Sequence, residues 1–204
     1  MKNKNIRQMT IIAMFIAIMA IMTFVPQIGF ISITPVIAFT LLHIPVLVGA
    51  YLFGWKYGTI LGLAFGLLSF FRALVWPVGV LDPFFVNPLI SVLPRLLFGL
   101  LAGLSFDFIK KLGKKPLRGV FLAVSSFVLT LFHSTAVLLM LGLFNGVAVI
   151  ALAAFSSYAS YWLLMGGIIL TNGLSEAVVA AIIVPTLVFA LMKAVPNLNT
   201  EKLS

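Results

Sequence analysis

The side chains able to do chemistry are few: two histidines, His43 and His133, four acidic residues and no cysteine in a chain of 204. Two histidines cannot make a three-histidine metal site, and no H-E-x-x-H occurs. The missing cysteine excludes disulfides, thiolate metal sites and thiol catalysis. Intramembrane hydrolysis would need paired carboxylates or a nucleophile with a partner at equal depth, and no such pair presents itself. GWKYGT at Gly54 to Thr59, and Gly113 followed by two lysines, both lack the spacing of a phosphate loop. The chain is therefore expected to hold no ATPase, no catalytic centre, no metal and no cofactor. What it does hold is a small set of polar residues suited to binding: Arg95, Glu176, His133, Asn87, Ser91 and Asn172, with the aromatic residues Trp76 and Tyr161.

The elements that must position these residues follow from composition. With 63% hydrophobic and 8% charged residues, the chain departs far from the roughly one-quarter charged norm of soluble domains. A bilayer core about 30 Å thick takes about 20 helical residues per crossing. The apolar runs then give six transmembrane helices in a single domain of residues 1–204, an all-α integral membrane protein, with spans at about 9–25, 35–54, 57–74, 87–109, 118–143 and 166–192. The first run follows the basic stretch MKNKNIRQ but lacks a small-x-small cleavage site, so it is read as a span and not a signal peptide. QIGFISITP is expected to be an external loop with some extended structure, and VWPVGVLDPFFVNP, with Pro77, Gly79, Pro83 and Pro88, a second.

The tail from Phe144 to Ala194 suits either one span or two, and charge decides. Six spans put Lys2, Lys4, Arg7, Lys56, Lys110, Lys111, Lys114, Lys115, Arg118, Lys193 and Lys202 on the cytoplasmic side, with both termini inside. Only Arg72 then lies outside, and Arg95 lies within a span. Phe144 to Leu164, which contains Ser156, Ser157, Tyr158 and Tyr161, becomes an external or re-entrant loop. Long external loops thus follow helices 1, 3 and 5. The net charge of +9 reports topology and not nucleic acid.

Depth brings the polar residues together. Arg95 and Glu176 fall roughly 10 to 15 Å below the outer ends of their spans. His133, on the oppositely directed span five, lies in the same outer half; Asn172, Ser91 and Asn87 join them, and Trp76, Tyr161 and Trp162 hang above. Ionisable residues at such depth face a bundle interior or a wet cavity. This layer is a candidate binding site open to the outside.

Blander readings stand beside it. Arg95 and Glu176 could pair with each other as a structural ion pair, or Arg95 could reach a ligand anion. Asp107 precedes Lys110 and Lys111 by three and four residues and suits a local helix-surface pair. His133 could be a hydrogen-bonded packing residue and His43 a cap or loop anchor, while Trp76 and Trp162 could belong to the interfacial belt. Gly58, Gly62 and Gly66 on span three, with Gly99 and Gly103 on span four, allow close helix approach. Ala13 and Ala17 make an A-x-x-x-A face on span one.

The basic N-terminus, Ala13 and Ala17, LLHIPVLVGAYLFGWKYG at Leu41 to Gly58 and NGLSEAVVAAIIVP at Asn172 to Pro185 together resemble the substrate-binding S components of energy-coupling factor (ECF) vitamin transporters. The resemblance covers nearly the whole chain. VNPLISVLPRLLFG at Val86 to Gly99 is most similar to pantothenate-specific members. It implies a subunit of an ABC-type importer in the bacterial plasma membrane, which captures a vitamin outside and topples in the membrane to release it inward. Its partners would be a transmembrane coupling protein, two cytoplasmic ATPases that do the hydrolysis, and membrane lipid. Ala13 and Ala17 match the family's docking face for the coupling protein.

Pantothenate, with one carboxylate, two hydroxyls and an amide, would suit one arginine and several neutral donors and acceptors. Arg95 is the candidate for the carboxylate. Asn87, Ser91, His133, Asn172 and Glu176 are candidates for the rest of the site, with Trp76 or Tyr161 closing it. Two other classes stay open: a stand-alone proton-coupled carrier of a small anion using Glu176, against which the lack of inverted repeats counts, and a membrane enzyme or assembly factor.

Overall fold

A computed structural model describes residues 2–25, 28–32, 38–77, 81–111, 115–152 and 158–194. Among them, five helical stretches are long and apolar enough to cross a membrane: Ile6–Phe24, Trp55–Val75, Pro88–Ile109, Leu117–Gly146 and Ala159–Ala194. A sixth apolar helix, His43–Phe53, is shorter. The elements are α1 (Lys2–Phe24), the antiparallel pair β1 (Phe30–Ser32) and β2 (Ala38–Thr40), α2 (His43–Phe53), α3 (Trp55–Val75), a 3₁₀ turn (Asp82–Val86), α4 (Pro88–Ser91), α5 (Leu93–Ile109), α6 (Lys115–Leu152), α7 (Tyr158–Ile168), a π-helical turn (Ile169–Gly173) and α8 (Leu174–Ala194).

The second span differs from expectation. The run from Pro35 reads as one helix by hydropathy, yet Ala38–Thr40 is a strand paired with Phe30–Ser32, and helix begins only at His43. Alternation of β-branched and aromatic residues in FISITPVIAFT favours strands; the expected extended structure is present and reaches beyond the loop assigned to it. Pro26, Gln27 and residues 33–37, Pro35 among them, lie outside the described residues. At about 16 Å α2 spans half the bilayer core. Every residue from His43 to Leu52 is buried, as befits a helix that is apolar all round and enclosed by the bundle. Gly54 ends it with a φ of 85°, a left-handed conformation that favours glycine, and α3 starts at once.

The glycines of α3 and α5 form a seam. A Cβ on Gly58 would lie 2.4 Å from the carbonyl oxygen of Gly99, one on Gly62 2.4 Å from that of Arg95, and one on Gly66 2.7 Å from the Cα of Val92. The two backbones are thus in direct contact along three turns, the close approach expected of small residues in membrane helices. As residue numbers rise on α3 they fall on α5, so the helices run antiparallel. A Cβ on Gly103 would meet the Cα of Trp55 at 2.2 Å, extending the seam to the α2–α3 turn. Lys110 pairs with Asp107 at 3.5 Å, the local helix-surface pair anticipated.

The expected loop from Phe144 to Leu164 is corrected. Helix α6 continues to Leu152, 38 residues in all or about 57 Å, and α7 starts at Tyr158. Positive-inside bias counts crossings and does not say where a helix stops, and FNGVAVIAL holds no proline to end it. Ser156 and Ser157 lie outside the described residues, as do Gly79, Gly113, Lys114 and Lys202. The extension has a packing partner: Leu141 and Val149 join Tyr161, Met165 and Ile90 in an outer apolar cluster, with Phe84 and Phe85 against it. The main core is a separate cluster, built from α1, α2, α3, α5, α6 and α8 around Tyr51, Phe65, Phe98 and Phe106.

Candidate binding site

Arg95 is the first residue after a proline-made break. Pro94 has no N–H to give the Ile90 carbonyl, and helix is interrupted between α4 and α5. The side chain of Arg95 repairs the break: its Nη1 donates to the carbonyl oxygen of Ser91 at 2.7 Å and of Ile90 at 3.3 Å. The guanidinium carbon lies 5.0 Å from the ring centre of Phe65 and 5.4 Å from that of Phe85, cation–π distances on both. Arg95 is 6% exposed, and its Nε has no hydrogen-bond partner. One edge of the fork is anchored on the carbonyls of α4, across the break. The Nε on the other edge makes no hydrogen bond.

Arg95 opens onto a cleft of about 50 Å³ lined by Ser69, Arg72, Ala73, Asp82, Phe85 and Arg95. Arg72 and Asp82 form an ion pair at 3.5 Å across it. Ser69 is buried and its hydroxyl has no partner.

Glu176 stands apart from Arg95. Its carboxylate accepts the backbone N–H of Thr40, with Ser134 beside it. The ion pairs among the described residues join Arg72 to Asp82 and Lys110 to Asp107, so the structural Arg95–Glu176 pair does not form. Glu176 is placed by the π-helical turn just before it, whose extra residue per turn re-aims the face of α8; such turns are frequent at functional sites. Asn172 lies inside that turn and is buried.

His133 packs between aromatic rings, with centroids 5.0 Å from Phe98 and 5.5 Å from Phe65, and its Nε2 has no partner. It packs against rings, as in the blander reading, with no hydrogen bond at Nε2. His43 does not cap α2: the cap position is Leu42 with no side-chain bond. His43 is itself the first helical residue, 1% exposed, with neither ring nitrogen in a hydrogen bond of good geometry although the backbones of Thr40 and Glu176 lie near.

The other candidates serve the scaffold. Asn87 caps α4 by accepting the Leu89 N–H at 3.0 Å, and the fully buried Ser91 donates to the Asn87 carbonyl at 3.1 Å. Ser91 reaches the site through its carbonyl, as an anchor for Arg95. Tyr161 is buried in the outer cluster and donates to the Leu138 carbonyl at 3.0 Å; Phe85 links that cluster to Arg95. Trp76 is 58% exposed at the end of α3, and Trp162 is exposed too, positions that suit the interfacial belt.

Ser69, Thr130, Phe65, Phe85 and Phe98 escaped the sequence reading. Ser69 continues the glycine face three residues beyond Gly66, and Ser126, Thr130 and His133 recur at four and three residues on one face of α6. Both stripes are visible in the sequence once His133 and the glycines are given a common face.

The chain matches the model of the substrate-specific component of ECF transporters over residues 7–188, and it belongs to that family. It is accordingly a multi-pass protein of the bacterial plasma membrane and a transport subunit, not an enzyme. It is 32% identical over 213 residues to the pantothenic acid transporter PanT of Lactococcus lactis subsp. cremoris, covering 97% of this chain and 100% of that protein. It is also 30% identical over 110 residues to the pantothenate transporter PanT of Leuconostoc mesenteroides, covering 52% of this chain and 54% of that one.

Proposed function

We propose that this chain captures pantothenate from outside the cell and delivers it inward as the substrate-binding subunit of an ECF importer. The observation that carries the reading is the Nε edge of Arg95, buried at membrane depth, paired with no carboxylate among the described residues and framed by two phenylalanines. A guanidinium fork recognises a carboxylate bidentately and strongly when both are desolvated. Two arginines and one aspartate line the cleft, a net charge of +1 that a monocarboxylate neutralises. The names of the two relatives support pantothenate as that monocarboxylate.

The cleft is smaller than the roughly 300 Å³ at which small-molecule pockets begin. Ligand entry therefore requires the segment 82–91, which carries Phe85 and the partner of Arg72, to move. Ala13 and Ala17 are exposed on α1, where they are available to a coupling protein. Toppling on that protein, driven by two cytoplasmic ATPases, completes delivery.

The test is uptake of radiolabelled pantothenate into proteoliposomes, with the chain alone or with the coupling protein and ATPases. Uptake that requires the partners and ATP is expected. Uptake by the chain alone, responsive to a proton gradient, would replace this reading with a secondary carrier.

A further inference from the structure

Six buried side-chain atoms among the described residues have no hydrogen-bond partner: Nδ1 and Nε2 of His43, Oγ of Ser69, Nε of Arg95, Oγ1 of Thr130 and Nε2 of His133. Unmet buried polar atoms are rare and costly, and each calls for an explanation such as a ligand or water that completes it. Ser69 and Arg95 line the cleft; His43, Thr130 and His133 do not.

Helix register places these three together. The Tyr51 hydroxyl and the Ser125 hydroxyl, 2.7 Å apart, tie α2 to α6. His43 comes eight residues before Tyr51, and His133 eight residues after Ser125. α2 runs antiparallel to α3, with Gly58 against Ala50 and Gly49 against Leu61, α3 runs antiparallel to α5, and α6, packed on α5, returns alongside it, so both histidines lie about 12 Å from the tie toward the same end of the bundle. They are close enough to interact electrostatically with each other, and His133 with Arg95. Phe65 joins the levels, with Arg95 on its ring at 5.0 Å and His133 at 5.5 Å. Thr130 lies one turn along α6 from His133, on the same face.

We infer that His43, Thr130 and His133 form the inner pole of the ligand site and contact its hydroxyl groups, while Arg95 and Ser69 hold its carboxylate at the outer pole. The inference rests on the pantothenate reading and adds an orientation to it: carboxylate outermost, hydroxylated acyl end inward. Imidazole supplies one donor and one acceptor when neutral, and a threonine hydroxyl supplies both. That pole suits uncharged hydroxyls, and the class of ligand is an N-acyl β-amino acid with a hydroxylated acyl chain.

The test is calorimetric titration of the purified wild-type chain, His43→Ala and Thr130→Val with two ligands: pantothenate, and the N-acyl-β-alanine in which both hydroxyls are replaced by hydrogen. Each substitution is expected to weaken pantothenate binding about tenfold or more, the effect of one lost hydrogen bond to a buried group, and to change binding of the dideoxy ligand less than about twofold. Equal weakening for both ligands, or none for pantothenate, would overturn the inner pole. Thr130→Val keeps the side-chain volume, and carries the test alone if His43→Ala does not fold. Failure of the wild-type chain to bind pantothenate would instead overturn the reading on which the inference rests.

Discussion

The carboxylate of Glu176, in the first turn of α8, accepts the backbone N–H of Thr40 in the hairpin between α1 and α2. The last helix is thereby tied to the first connection of the chain, and the acid is used for structure, not as a counter-ion to Arg95. Glu176→Ala leaves a partly buried N–H without its acceptor and is expected to cost about 1–3 kcal/mol, read as a lower melting temperature in detergent. Glu176→Gln keeps an acceptor oxygen and is expected to retain most of that stability and to support ATP-driven uptake. Abolished uptake in a stable Glu176→Gln protein would point to proton coupling through this residue.

Arg95 is held by one edge and open at the other. Arg95→Ala is expected to weaken pantothenate binding by about 2–5 kcal/mol, the range for truncating one member of a buried charge pair. Arg95→Lys keeps the charge and loses the fork, so it is expected to fall between wild type and Arg95→Ala. Titration of each variant, after its folding is checked by size exclusion, decides the point; unchanged affinity in Arg95→Ala removes the residue from the site.

The glycine seam sets where Arg95 stands, because Gly62 packs against the carbonyl of Arg95 itself. Gly62→Leu or Gly99→Leu drives side-chain atoms into facing backbone and is expected to cost at least about 3 kcal/mol, with little folded protein recovered. Gly166→Leu and Gly167→Leu, at positions where an added Cβ meets nothing within 4 Å, are the matched controls and are expected to fold normally. Thermal denaturation of the four variants measures the contrast.

Ala13 and Ala17 are exposed on α1, among exposed apolar residues such as Met14 and Ile18. Replacing both by Trp is expected to block co-purification with the coupling protein and ATPases while pantothenate binding by the isolated chain persists. Normal assembly of the double variant would remove this face from the docking surface.

The sequence was most legible where one physical signal dominated. Hydropathy located the apolar helices, glycine spacing located the α3–α5 contact, and depth along the spans singled out Arg95 and His133. It was least legible where two signals compete. Hydropathy alone could not separate the strand at Ala38–Thr40 from the helix after it, since both are apolar. Charge bias fixed no helix end, so the extension of α6 past Leu143 was missed. The break at Pro94 was readable as a missing N–H, but that Arg95 would fill it depends on a rotamer that only the folded chain specifies. The same holds for Glu176: its depth suggested a partner for Arg95, whereas the π-helical turn re-aims it toward Thr40.

The most direct test of the central claim is calorimetric titration of the purified, detergent-solubilised chain with pantothenate, with other water-soluble vitamins as comparison and no ATPase present. Tight one-to-one binding of pantothenate alone is the expected result. Absence of binding by demonstrably folded protein, or preference for a different vitamin, would contradict the assignment of pantothenate as the cargo.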